Sequence, residues 1–353
     1  MKTRRSTLNP AFIISLTSVH TVFFKSLLIL SMVILIVPVV QGCIEHPQDS
    51  DFTEAASMPS VKVAVRQLSD TQTRCIDAFV FNDDQLQRLD CYQSMENLQD
   101  RDILVGSRSG NKILLLCANL HHEKDSWREY NSFKKAGAMK VNLEDEDRNY
   151  PVMASYAHFQ TGRDTRIDME RLSSEVELHS INCDFKGKPY AGEKITDAKA
   201  YLINVNGTCS LLPQENEGIE RVINHGGLIE SDMTSLKDPT LLLSELGEIG
   251  TEVTYPSCQF LCYVNKSPEE SLGSPYTRLV IEGKIQGETW YWPIDINRDV
   301  SANGIERNSR YIFNITLTSK GTKNPNAPVK TDMTDITFKA ETWKEKEEYC
   351  VSF

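Results

Sequence analysis

TRLVIEGKIQGETWYWPIDIN (residues 277–297) and GIERNSRYIFNITLTSKGTKNP (residues 304–325) carry the clearest pattern in this chain. Across 278–285, Leu279 and Ile281 alternate with Arg278, Glu282 and Lys284. Across 289–296, Trp290, Trp292, Ile294 and Ile296 alternate with Tyr291 and Asp295. Across 310–319, Tyr311, Phe313, Ile315 and Leu317 alternate with Arg310, Asn314, Thr316 and Thr318. A period of two sends successive side chains to opposite faces, so each run predicts a strand with one apolar face. Gln286-Gly287 and Asn303-Gly304 are turn dipeptides that join such strands.

The same period extends outward. Downstream, 335–343 closes the series. Upstream, 60–68 sets Val61, Val63 and Val65 against Lys62, Ala64 and Arg66. Residues 75–81 are apolar on both faces and end in the turn signal Asn82-Asp83-Asp84; 112–120 is a buried run. In 174–181, Val176 and Leu178 oppose Glu175, Glu177 and His179, and 197–205 is mixed. One stretch departs from this pattern. In 125–137, Trp127, Tyr130 and Phe133 recur every three residues between a capping Asp125 or Ser126 and Gly137, which predicts one short helix. Residues 218–250 are weakly patterned and read as a long connection. The expectation is an all-β sandwich architecture with one short helix. A break at Lys188-Pro189-Tyr190-Ala191-Gly192 divides it into 59–190 and 191–353.

The N-terminal end belongs to no fold. Residues 1–43 hold Lys2, Arg4, Arg5 and Lys25, no acid, and the apolar run LLILSMVILIVPVV (27–40). That run is short for a membrane span and reads as an export signal. It ends Val40-Gln41-Gly42-Cys43, the pattern of a bacterial lipoprotein signal, although Gln41 is not the favoured residue there. Cys43 is the expected lipidation site, since two or more acyl chains give stable anchoring. An ordinary secretory signal with a chance Cys is the plainer reading. Residues 44–58 are polar and aperiodic, a tether. Cleavage leaves 34 basic against 49 acidic residues, a net charge of −15. Such a surface argues against nucleic acid, which takes most of its affinity from basic patches.

Eight cysteines remain after Cys43. Export permits disulfides, but the spacings form no compact framework, and most read as buried free thiols. Cys258 and Cys262 have no partner motif for zinc. His121-His122 reads as a solvated loop. The acidic run Glu144–Asp147 lacks calcium-loop spacing and also reads as solvated. Gly106–Gly110 resembles a nucleophile elbow with Arg108 where the nucleophile belongs. No catalytic constellation, cofactor motif or metal site emerges. Trp290 and Trp292 would suit a sugar-stacking platform, but alternation puts both on the inward face, so core is favoured.

Several stretches together resemble one family. CIDAFVF (75–81) and KILLLCAN (112–119) look like early strands of the fimbrillins, the pilins of Bacteroides- and Porphyromonas-type fimbriae. YPVMA (150–154) followed by ERLSSEVEL (170–178), DAKAYLINV (197–205) and the two C-terminal stretches are similar in order and spacing. The cysteines depart from the family pattern. The resemblance implies two tandem transthyretin-like β-sandwich domains and no catalysis. It implies a stalk, tip or anchor subunit that assembles with other fimbrial subunits by strand exchange. With the signal pattern at Cys43, the expectation is an outer-membrane lipid anchor there, and a host or bacterial surface as ligand. The resemblance also implies a cut after a basic residue behind the exchanged strand Val61, Val63, Val65. Arg66 is the better candidate, since cutting at Arg74 leaves no free end before the next strand. The competing expectation is a surface lipoprotein whose β-sandwich binds glycans.

Overall fold

The computed structural model describes residues 60–65, 73–96, 102–120, 126–161, 165–214, 219–298, 304–327, 334–342 and 347–352. All fall in one compact unit, 58–353. The first strands are β1 (Ser60–Val65), β2 (Cys75–Asn82), β3 (Leu89–Glu96), β4 (Asp102–Gly106), β5 (Asn111–Ala118), β6 (Lys140–Asn142) and β7 (Met153–Gln160). Then come β8 (Thr165–Arg171), β9 (Ser174–Cys183), β10 (Ile195–Ile203), β11 (Val205–Asn206), β12 (Thr208–Ser210) and β13 (Val222–Ile223). The last are β14 (Leu243–Ile249), β15 (Cys258–Cys262), β16 (Arg278–Ile285), β17 (Glu288–Asp295), β18 (Ser309–Leu317), β19 (Thr334–Thr342) and β20 (Glu347–Ser352). Among the described residues there are also two short α-helices, α1 (Phe133–Gly137) and α2 (Glu230–Ser235). The chain is all-β, as its period of two requires.

An eight-stranded sheet has the order β3-β2-β5-β7-β8-β20-β1-β4. Strands β7 and β8 share only two pairs, Met153 with Arg171 and Ala154 with Glu170. Beyond that join the sheet divides into two halves. Ile76, Val80, Leu114, Leu116 and Phe159 from one half bury a common core with Val105, Ile167 and Met169 from the other. Two four-stranded sheets, β15-β9-β18-β19 and β14-β10-β16-β17, sandwich a larger core that includes Val176, Leu178, Phe260, Ile281, Trp292, Tyr311 and Phe313. Strand β9 lies before the Lys188–Gly192 turn, yet it pairs parallel with β18 and antiparallel with β15.

The decisive C-terminal stretches fold as their alternation predicts. Gln286 and Gly287 have φ of 55° and 79° and connect β16 to β17. Two successive positive φ values are the twist that a two-residue hairpin needs. Trp292, Tyr311 and Phe313 are buried, and Trp290 is half-buried at the open end of the same face.

Four expectations need correction. The helix over 125–137 is a 3-10 turn at Ser126–Glu129 and a separate α1. A bridge between Arg88 and Ser132 interrupts it, and Trp127 stacks on Tyr92 at 4.9 Å. Residues 218–250 are not one connection. They hold β13, α2 and β14, and β14 is recruited by main-chain pairing with β10 rather than by its own pattern. The strand series does not close at 343, because β20 follows. Arg278, read as outward-facing, is fully buried.

Candidate functional site

Strand β1 is an interior strand. It pairs antiparallel with β20, Lys62 opposite Ser352 through Val65 opposite Tyr349. It also pairs antiparallel with β4, Ser60 opposite Gly106 through Ala64 opposite Asp102. Register sets Val61 against Val105, and Val63 against both Ile103 and Val351. Val105 is buried with Ile167 and Met169. Withdrawal of β1 would leave β4 and β20 with rows of unpaired N–H and C=O groups beside an apolar core, an arrangement that templates a replacement strand.

Cys43 and Arg66 lie outside the described residues, as do His121 and His122. Arg74 lies within them, with its side chain largely exposed. Its backbone N–H donates to Asn119 Oδ1 at 2.8 Å. Its guanidinium sits 3.3 Å from the Asp147 carboxylate and 3.4 Å from the Tyr150 ring centroid.

The run Glu144–Asp147, read from sequence as solvated, is a paired joint. Glu144 meets Arg221 at 2.6 Å and Asp145 meets Lys237 at 2.7 Å. Hydrogen bonding from Arg221 holds the Glu144 carboxyl down at about 2. Next to the run, Arg148 donates to the carbonyls of Gln259 at 2.6 Å and Thr240 at 3.1 Å. Glu146 is buried, accepting from Tyr263 Oη at 2.7 Å and from the Val152 N–H at 2.9 Å. Burial pushes its carboxyl up to about 7, against the hydrogen bonds from Tyr263 and Val152 and the charge of Arg171. Nothing in the acidic run distinguished Glu146 from its neighbours; only packing did.

This makes stability pH-dependent. A carboxyl raised from 4.5 to about 7 binds its proton more tightly in the folded state. Its contribution is full below about 4.5 and is lost as pH rises through about 7. Between pH 5 and pH 8 the loss should be about 2–3 kcal/mol. Urea unfolding of wild type and Glu146→Gln across this range checks it. The two curves should converge at low pH and separate at high pH; parallel curves would refute the assignment.

Cys75, Cys91, Cys117, Cys183, Cys209, Cys258 and Cys262 form no disulfide, and the last five are buried. Burial raises Cys117 well above the ordinary thiol range and pushes Cys262 up to about 12. They behave as small apolar residues. A cleft of about 510 Å³ opens beside β14 and β15, lined by Arg148, Thr240, Ser244, Cys258, Gln259 and Phe260. It offers no exposed aromatic platform, since Phe260 is fully buried. Trp290 is covered by Lys323, 3.6 Å from its ring centroid, with Lys320 at 5.3 Å. Among the described residues no group of three or more His, Cys, Asp or Glu could hold a metal ion. Among them, too, no helix is long and apolar enough to cross a membrane.

No family model matches this chain, and no curated protein matches it. Solved structures do match. A protein of Bacteroides eggerthii, described as a candidate cell adhesion protein, has 14% identity and a TM-score of 0.60, covering 81% of this chain and 96% of its own. A fimbrilin of Porphyromonas gingivalis has 14% identity and a TM-score of 0.57, covering 80% and 96%. A candidate cell adhesion protein of Parabacteroides distasonis has 14% identity and a TM-score of 0.56, covering 79% and 91%. The chain has the fold of these fimbrial and adhesion proteins over nearly their whole length.

Proposed function

We propose that this chain is a structural subunit of a cell-surface fimbria, serving adhesion and joining its neighbours by strand exchange at the position of β1. The observation that carries the reading is the double pairing of β1 to β4 and β20. A strand held on both edges by main-chain bonds can be replaced by another of similar length and matching apolar alternation, because the backbone supplies the affinity and the alternate side chains the fit. In this reading the chain is exported as a lipoprotein acylated at Cys43, reaches the outer membrane, and is cut after Arg66. The cut releases β1 together with the lipid. The C-terminal β20, already seated beside β1, is the candidate for the strand that leaves to fill a neighbour. Two tandem sandwiches suit such a unit, with β9 passing from the first half of the chain into the second. The partners are other fimbrial subunits and, through the subunit at the tip, a host or bacterial surface ligand. A glycan-binding sandwich is less well supported, because the Trp290 ring is covered by lysines.

N-terminal sequencing of the protein recovered from assembled fimbriae tests the proposal. A new terminus at Gln67 is expected. Precursor accumulated without the protease should carry a palmitate analogue, and Cys43→Ala should not. An acylated Cys43 in every assembled copy would refute processing and assign the chain to the fibre base.

A further inference from the structure

We propose that Lys112 and Asn82 become joined by an intramolecular isopeptide bond, with Asp90 as the proton carrier. Three adjacent strands bring these groups together. Lys112 on β5 stands directly opposite Asn82, the last residue of β2. Asp90 lies on β3, across β2. Phe81 pairs with Leu89 and Val80 with Cys91, so Asp90 is the extra residue of a β-bulge. A bulge re-aims the side chain it inserts, and here the carboxylate turns toward the lysine.

Lys112 is 3% exposed, and the Asp90 side chain is equally buried. The Lys112 Nζ lies 2.6 Å from Asn82 Oδ1 and 2.9 Å from Asp90 Oδ2. Asp90 Oδ2 also accepts the Arg108 N–H at 3.0 Å. On β5, Lys112 shares its face with Leu114 and Leu116, and across the sheet it is opposite Phe159. Lysine is rarely buried this fully, and a plain ion pair with Asp90 would need no amide beside the amine. The amide supplies an electrophile, since its carbonyl carbon is one bond from the oxygen that the amine already touches.

The chemistry balances without an oxidant or co-reactant. The Lys112 amine gives a proton to Asp90 and attacks Asn82 Cγ. The Nζ–Cγ bond forms, the Cγ–Nδ2 bond breaks, and Asp90 returns the proton to the departing nitrogen, which leaves as ammonia. Fixed proximity in a site shielded from water is what such a step requires. The product ties β2 to β5 and closes a covalent loop from residue 82 to residue 112 that contains β3 and β4. The linked pair, β2 and β5, would stay in register under tension whatever becomes of β1.

Tryptic mapping of the folded full-length chain tests this. Peptide 75–88 (CIDAFVFNDDQLQR) should appear linked to 109–124 (SGNKILLLCANLHHEK), uncleaved after Lys112. The linked species should weigh about 17 Da less than the sum, the mass of ammonia. Lys112→Arg and Asn82→Ala should each lack the linked peptide. The thermal midpoint of Lys112→Arg should fall by about 10 °C, from lost constraint on the unfolded chain. Asp90→Asn should keep its circular dichroism spectrum and not form the link. Cleavage after Lys112, with 75–88 at its unmodified mass in folded wild type, would overturn the proposal. So would a loss of about 17 Da that maps instead to an Asn-Gly succinimide. A link formed equally fast in Asp90→Asn would overturn the role of Asp90.

Discussion

Phe313→Ala is expected to lower the free energy of unfolding by about 3–5 kcal/mol. The residue is buried at the centre of β18, an interior strand flanked by β9 and β19. Across the parallel pair it stands opposite Leu178, which is fully buried as well. Strands fixed on both edges cannot close around a missing ring, so the cavity term adds to the lost burial. Ile312 projects to the opposite face and is half-buried; Ile312→Ala should cost less than half as much. Urea denaturation of both variants measures the difference. A loss below about 1 kcal/mol for Phe313→Ala would mean that β18 is wrongly placed.

Arg278→Ala should cost about 3 kcal/mol, because it breaks a buried, multiply bonded cation from its partners. Its guanidinium meets Asp295 at 2.6 Å and Glu270 at 2.7 Å. It also donates to the Asn326 carbonyl at 3.1 Å and to Asn326 Oδ1 at 2.6 Å. The Asn326 side chain in turn accepts from Asn204 Nδ2 at 2.8 Å, so one arginine organises several loops. Burial by itself would lower the Arg278 pKa; hydrogen bonding with Glu270 and the charge of Asp295 hold it above its ordinary value. Asp295 and Glu270 are 31% and 36% exposed, so water partly compensates them when the cation is lost. That exposure keeps the cost near the lower end for broken buried pairs. Arg278→Lys should recover little, since a point charge cannot reach three partners as a planar fork does. Chemical denaturation reads the effect. A Lys variant as stable as wild type would show that charge alone matters.

Local pattern carried much of the result. The alternation through 278–285, 289–296 and 310–319 set strand type, inward faces and the hairpin at Gln286-Gly287, because side-chain period is a property of the backbone alone. The strand of Val61, Val63 and Val65 was legible for the same reason. Pattern failed where partners came from far along the chain. Strand β14 is a strand because β10 offers it an edge, and β20 because β1 and β8 do. The helix over 125–137 was misjudged because a bridge to Arg88 outweighed a weak local propensity.

By itself the sequence determined an acidic, all-β chain, since charge and a period of two are both written residue by residue. Tertiary structure alone decided which charges are buried. Glu146 and Arg278 look like ordinary surface residues in the sequence, and the run that holds Lys112 reads as buried without showing what partners its amine finds. They are enclosed because distant strands and loops converge on them, and a charge is retained inside only where such convergence supplies its partners.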